Sequence, residues 1–274
     1  MIKHYLKVAF RNLMKYKTQS LVSIIGLAVG FTCFALSALW IRYEMTYDNF
    51  HEGADRIYLV RAHYANEPGT SKFTPYPLMK YLQDKMPEIE AVTAFTAHHV
   101  KFRMEDTEQE IGMIAADSVF MNFFDIQLLK GTVNFLKCDG QEVAITKEFA
   151  KRLFSKEEDA LGKEVEVGRR VCKIGAIVSG WSNHSNIPYN ILAPARHSPR
   201  WGSSNEQLFI RVRERTDIDV FRTKMSTIRI NDIEKESELS DLLITRMSAL
   251  RYSDYVDKAD VVISFSYIFY FSLA

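Results

Sequence analysis

The pattern of apolar and polar positions is dominated by Leu21 to Ile41, a run of 21 residues without a charge. As a helix at ~1.5 Å per residue such a run is about 31 Å long, which matches the ~30 Å hydrocarbon core of a bilayer. Its polar members, Ser23, Thr32 and Ser37, are types that a helix satisfies by bonding back to its own carbonyls. The run predicts a membrane span over residues 21–41. Within it Ser23, Gly26, Gly30, Cys33 and Ser37 recur at steps of three and four, so small side chains line one helix face. Gly26 and Gly30 have the GxxxG spacing that lets a second helix approach closely. Gly and Ser are also common in membrane helices without any packing role, and it is the five-residue seam that favours a partner helix.

Before the span, Ile2, Leu6, Ala9, Leu13 and Tyr16 recur at helical spacing, while Lys3, Lys7, Arg11 and Lys15 recur every four residues. That pattern predicts a basic amphipathic helix over residues 1–20, lying on the cytoplasmic membrane face against anionic lipid. A plain positively charged flank accounts for the same residues. Trp40, Tyr43 and Tyr47 suit the opposite interface, where aromatic rings sit half wet.

Residues 42–258 alternate between strand and helix patterns. Strands are expected at 56–64, 90–103 (one or two), 111–120, 143–145, 164–167, 171–178, 207–213 and 242–247. Thr74-Pro75-Tyr76-Pro77 opens a helix that Pro87 stops. A short aromatic helix surrounds Met121 to Phe124. Thr146 caps a helix with Phe149, Ala150 and Leu153 turned inward. Residues 217–230 carry Ile218, Phe221, Met225 and Ile228 at helical spacing, and 180–206 read as one long loop. Strands and helices do not alternate in a clean βαβ rhythm, so the fold class is α+β. After Asp260 come 14 uncharged residues, Val261 to Ala274. They are too few to cross a bilayer and read as the incomplete beginning of a second span, 261–274.

Charge orients this arrangement. The chain has 35 Lys and Arg against 34 Asp and Glu, a net of +1. Residues 1–20 hold five of the cations (Lys3, Lys7, Arg11, Lys15, Lys17) and no acid, and the first acid is Glu44. The rest of the chain carries 30 basic and 34 acidic side chains, a net of −4. Positive charge resists translocation, so the N-terminus is expected in the cytoplasm and residues from Arg42 onward outside the inner membrane. The rival is a cleaved signal peptide, whose apolar core of ~7–15 residues is shorter than this run. A net negative domain argues against nucleic acid as a partner. Of three cysteines, Cys33 is in the span, and Cys138 and Cys172 could pair in an oxidising compartment. Cys172 falls in an alternating strand, where a buried thiol is the commoner outcome.

Catalytic chemistry is not expected. A phosphate-cradling loop needs glycines ahead of its Lys-Ser/Thr, whereas Gly162-Lys163 is followed by Glu164 and lacks the upstream Gly. His98 and His99, adjacent in a strand, point to opposite faces and do not share a ligand site. His184 reads as a solvated loop residue. No G-x-S-x-G, no H-E-x-x-H and no clustered acidic pair occurs, so neither a cofactor nor a metal is implied.

The basic start followed by Ser-Ile-Ile-Gly-Leu-Ala-Val-Gly at 23–30 resembles the MacB/FtsX-like ABC transporter permeases, especially those of Bacteroidetes-type bacteria. Tyr47-Asp48-Asn49-Phe50-His51, Ala54-Asp55-Arg56-Ile57-Tyr58, Thr74-Pro75-Tyr76-Pro77-Leu78 and Met86-Pro87-Glu88-Ile89-Glu90 continue the resemblance. So do Asp117-Ser118-Val119-Phe120 through Phe124-Asp125, Leu128-Leu129-Lys130-Gly131, Ala150-Lys151-Arg152-Leu153-Phe154 and Leu161-Gly162-Lys163. No single piece is specific; the collinear set is. The resemblance implies a periplasmic core domain of a porter-like α+β half and an inserted, mostly β half, carried between the first two of four membrane helices. It implies a permease subunit coupling a separate cytoplasmic ABC ATPase to motion of that domain, for export. It further implies a dimer of permease subunits and a periplasmic or outer-membrane partner. The alternative is a membrane-anchored extracytoplasmic receptor or regulatory binding domain without transport.

Overall fold

The computed structural model describes residues 2–64, 69–105, 107–137, 141–154, 156–181, 184–229 and 239–252. The expected start of a second span and Cys138 lie outside them. The chain divides into two compact units, one running up to Thr46 and the other beginning at Tyr47.

The first unit holds α1 (Ile2–Lys15) and α2 (Lys17–Met45). Tyr16, at φ −110° and ψ 58°, leaves helical geometry and separates the basic stretch from the apolar one. The two are thus distinct helices, and the apolar one extends four residues beyond the uncharged run at each end. Among the described residues α2 is the one helix long and apolar enough to cross a membrane by length and composition. Thr32 Oγ1 donates to Ala28 O at 2.8 Å, so its hydroxyl is satisfied within the helix. Thr46 closes α2: its N–H and its Oγ1 both donate to Tyr43 O.

Among its described residues the second unit contains twelve strands and four α-helices. In chain order these are β1 (Ile57–Tyr64), β2 (Thr70–Ser71), β3 (Thr74–Pro75), α3 (Pro77–Lys85), β4 (Ile89–Met104), β5 (Thr107–Ala116), α4 (Ser118–Phe123) and β6 (Leu128–Gly131). There follow β7 (Glu142–Thr146), α5 (Lys147–Leu153), β8 (Glu164–Val167), β9 (Arg170–Val178), β10 (Ile191–Pro194), β11 (Ser204–Val212), α6 (Ile218–Ser226) and β12 (Leu239–Arg246).

One long strand organises the domain. The first part of β4 pairs antiparallel with β11, from Ile89–Val212 to Phe95–Gln207. Its second part pairs with β5, from Thr96–Ala115 to Met104–Thr107. Around the first part, the strand order β12-β1-β11-β4 is antiparallel throughout. With α3 between β1 and β4, and α6 between β11 and β12, this is a split βαβ arrangement. The βαβ rhythm missed in the linear pattern is present, interrupted by an insertion between β4 and β11. Both helices cover one sheet face: Leu78, Leu82, Phe221 and Met225 meet Tyr58, Val60, Leu208 and Ile210 in a dry core.

The insertion closes on itself. β4 pairs with β5, β5 with β10, β10 with β7, β7 with β9, β9 with β8, and β8 returns to β4. This six-stranded barrel is filled by Phe102, Ile111, Val143, Ile145, Val165, Ile174 and Ile191, and α5 lays Phe149 and Ala150 onto the same core. Thr146 Oγ1 accepts from Phe149 N–H at 3.3 Å, the cap expected from the pattern. The region 180–206 contains β10 and the start of β11, so it is not a single loop. The pattern missed β10 because only four residues pair, between β5 and β7, and both faces are covered. A third core, rich in aromatics, packs the uncovered face of the split βαβ sheet (Ile57, Leu59, Phe95, Phe209) against α4 and the outside of the barrel.

Candidate functional site

Two polar junctions tie these parts together. The first begins three residues after α2. Asp48 is fully buried and sits at φ 57°, a left-handed conformation that Asp tolerates better than most residues. Ser185 Oγ donates to Asp48 Oδ1 at 2.5 Å, and Asn186 Nδ2 donates to Oδ2 at 2.6 Å. The Asn186 N–H lies 3.2 and 3.1 Å from the two carboxylate oxygens. In return the Asp48 N–H donates to His184 O at 3.2 Å. Asn186 Nδ2 also reaches Met247 O at 3.5 Å, which brings in the residue just after β12. Asp48 therefore holds the loop before β10, and Asn186 of that loop reaches the segment leaving β12. Burial pushes the Asp48 carboxyl above its usual range, while hydrogen bonds from Ser185 and Asn186 and the nearby His184 ring pull the other way.

Rings flank this junction. His184 packs on Tyr47 with centroids 3.9 Å apart and the rings tilted by 43°, so it is a packed residue and not the solvated one expected. His51 lies 5.0 Å from Phe124 and 4.9 Å from Trp181, and Trp181 Nε1 donates to Ile187 O at 2.9 Å. The buried His51 Nε2 has no hydrogen-bond partner among the described residues. Burial, assisted by the Arg211 charge, lowers the His51 pKa to about 4, so the ring is neutral at physiological pH.

The second junction surrounds His197, in the connection between β10 and β11. Its ring stacks on Tyr76 at 4.0 Å with an interplanar angle of 7°. Nδ1 is 3.2 Å from Glu206 Oε1, and Nε2 is 3.7 Å from Asp117 Oδ2, an ion-pair distance longer than a hydrogen bond. Asp117 also caps α4, its Oδ1 accepting from the Val119 and Phe120 N–H groups at 2.9 and 3.0 Å. Burial opposes charge on His197, but Asp117 and Glu206 outweigh it and raise the pKa to about 9. Burial works against Asp117 too, and His197 with the Phe120 and Val119 N–H groups holds its carboxyl below the usual value. The barrel side (Asp117, His197) thus meets the split βαβ side (Tyr76, Glu206) through a charged imidazolium.

The residues singled out in the helices belong to the first unit. Ser23, Gly26, Gly30 and Cys33 are exposed and Ser37 is half-buried. A Cβ added at Gly26 or Gly30 would meet nothing within 4 Å. Lys7, Arg11, Lys15 and Lys17 are exposed, and Lys3 lies within α1. Cys172 is buried, and its possible partner Cys138 falls outside the described residues. His98 and His99 pair across to Met113 and Gly112 and face opposite sides of β4. Among the described residues no group of three or more His, Cys, Asp or Glu side chains is placed to hold a metal.

A helix long and apolar enough to cross a membrane is followed in the chain by an α+β domain made of a split βαβ sheet and an inserted barrel. Residues 20–228 match the MacB-like periplasmic core domain family, and the chain belongs to that family. No curated protein matches it. Among solved structures, it is similar to a domain of a permease-type protein from Porphyromonas gingivalis, with 19% identity and a TM-score of 0.58 over 72% of this chain and 92% of that one. It is also similar to the periplasmic region of MacB from Actinobacillus actinomycetemcomitans, with 13% identity and a TM-score of 0.50 over 72% and 92% of the two chains. A third similar structure is the extracellular domain of the ABC-type transporter YknZ from Gram-positive bacteria, with 14% identity and a TM-score of 0.50 over 69% and 99%. At these identities the structures establish a shared fold. The family places the chain with the permease subunits of ABC-type transporters.

Proposed function

We propose that this chain is the membrane subunit through which a separate cytoplasmic ABC ATPase drives an extracytoplasmic domain, for export. The N-terminus and α1 lie on the cytoplasmic side, with Lys3, Lys7, Arg11, Lys15 and Lys17 against anionic lipid, and Tyr47 onward lies outside. The seam of Ser23, Gly26, Gly30, Cys33 and Ser37 receives a neighbouring helix, within the subunit or from a second permease subunit. The domain acts on substrate or on a periplasmic or outer-membrane partner.

The observation that carries this reading is the Asp48 junction. Only Thr46 and Tyr47 separate α2 from a buried carboxylate that holds the loop before β10, whose Asn186 in turn reaches the residue after β12. In this reading Asp48, at the start of the domain, is the point at which motion of α2 enters it. The test is purification of the full-length protein in mild detergent from its native host, followed by reconstitution with the ATPase that accompanies it. Gly26→Leu with Gly30→Leu is expected to leave insertion and domain folding intact while abolishing coupled ATPase stimulation. If no ATPase accompanies the protein, or the double variant couples normally, the reading fails; an anchored receptor would bind its ligand unchanged in that variant.

A further inference from the structure

The barrel has a plug at one end and an opening at the other. Phe102, Ile111 and Ile191 sit beneath α5, whose Phe149 packs edge-on against Phe102 at 5.1 Å. Toward the other end the same inward-facing positions continue along the strands as His98, Met113, Val143, Val167, Cys172 and Ala193. Between them lies a cavity of about 380 Å³. Mouths of β-barrels are recurrent ligand sites, and this volume is within the usual range for small-molecule pockets. At roughly 25 Å³ per heavy atom it accommodates on the order of 15 heavy atoms.

The rim has one sign of charge. Arg169, Arg170 and Arg196 line the cavity together with His98, and no Asp or Glu does. Two of these arginines are set in place by a tight hairpin. Val167 pairs with Arg170, leaving Gly168 and Arg169 as a two-residue turn with Gly168 at φ 65°. Arg170 shares the parity of the inward-facing Cys172 and Ile174, so its side of the strand is the cavity side. Arg169 and Arg170 are exposed. A second cavity, of about 550 Å³ near the ends of β1 and β11, is a poor anion site by contrast. Its Arg56, Arg213, Arg215 and Arg246 are interleaved with Glu52, Asp55 and Glu214. Arg56 there is already paired with Glu90, and Arg213 with Pro87 O.

We propose that the mouth of the barrel binds a single-chain amphipathic anion, its apolar body in the well walled by Met113, Val143 and Val167 and its carboxylate or phosphate on Arg169 and Arg170. An arginine fork pairs bidentately with either headgroup, and neutral apolar walls exclude a second charge from the well. This site does not depend on coupling to an ATPase.

The test uses the full-length chain in lipid nanodiscs with methyl-labelled methionine, Met113 being assigned by Met113→Leu. Decanoate, decyl phosphate and decyltrimethylammonium are each added below their micellar concentrations. Met225, in the core of the other half, controls for partition into lipid and for general unfolding. One or both anions are expected to shift Met113 saturably and leave Met225 in place, and the tighter of the two identifies the headgroup. The cation is expected to do nothing, and Arg169→Glu with Arg170→Glu, both on an exposed turn, is expected to weaken anion binding at least tenfold. A Met113 signal that neither anion moves, that the cation moves equally, or that responds undiminished in the charge-reversed variant overturns the proposal.

Discussion

The Asp48 junction gathers neutral donors onto one buried carboxylate, whereas the His197 junction sets an imidazolium between two carboxylates. Both fasten the inserted barrel to the split βαβ half, and they fail under different conditions. At Asp48 the stabilising contacts are hydrogen bonds from Ser185 and Asn186, which salt does not screen. Its raised pKa means that the folded domain holds the Asp48 proton more tightly than the unfolded chain does. Acid therefore does not release this junction; ionisation with rising pH is what costs stability there. At His197 the contacts are between charges, and stability depends on the imidazolium keeping its proton and Asp117 staying ionised.

The largest effect expected from breaking this contrast is at Asp48. Asp48→Ala strips the buried Ser185 hydroxyl of its acceptor and removes the carboxylate from the part-buried Asn186 donors, which costs about 3 kcal/mol and lowers the thermal midpoint by roughly 10 °C. Asp48→Asn keeps the shape and the left-handed backbone but turns one acceptor into a donor facing Asn186, and is expected to cost about half as much. Thermal unfolding followed by near-UV circular dichroism checks both.

The next effect comes from His51, which adjoins the first junction but titrates. Its folded pKa is about 4 against an ordinary 6.5. The unfolded chain binds the extra proton between those values, so stability is full above pH 6.5 and falls as pH drops toward 4, by about 3 kcal/mol. His51→Phe removes that slope in urea titrations across the range, whatever it does to stability at neutral pH.

His197 has the opposite sign. Its folded pKa is about 9 against 6.5, so its contribution is complete below pH 6.5 and is lost as pH rises through 9. After discounting for the ring's residual solvent contact, this is worth about 2 kcal/mol. His197→Gln is expected to flatten the alkaline side and to leave Asp117 and Glu206 without their cation. Together the two histidines predict maximum stability near pH 6.5. The smallest effect belongs to the exposed ion pairs of Arg103 with Glu108 and Glu166, where Arg103→Ala is expected to leave the unfolding midpoint unchanged.

Much of the architecture was legible in the sequence because it rests on local signals. The apolar run predicted α2, Thr146 predicted the cap of α5, and alternation predicted β1 and β9. Pro77 at the first turn of α3 has the same local origin. The junctions were not legible: Asp48, Tyr76 and Asp117 fall in segments that carried the family resemblance, but nothing in the pattern marked them out. Their partners Ser185, Asn186, His197 and Glu206 fall in 180–206, where polar residues show no period. Ser185, Asn186 and His197 acquire roles through contacts with Asp48 and Asp117 across 80 to 138 positions of chain, and Glu206 joins through His197, nine positions away. Barrel closure was hidden for a related reason, because β8 meets β4 through only two residue pairs, Phe102–Val167 and Arg103–Glu166. The 3.6-residue and two-residue periods report which face is buried, not which distant strand buries it.

The most direct test of the central claim, that Asp48 transmits motion of α2 to the domain, is a distance measurement in the reconstituted complex with its ATPase. Spin labels at Val171 on β9 and Val220 on α6, both exposed, report movement of the domain when ATP is added. The account predicts an ATP-dependent change in the label separations between or within subunits that Asp48→Asn abolishes at a temperature where its domain is fully folded. An equal ATP-dependent change in Asp48→Asn and the unmodified protein would contradict it.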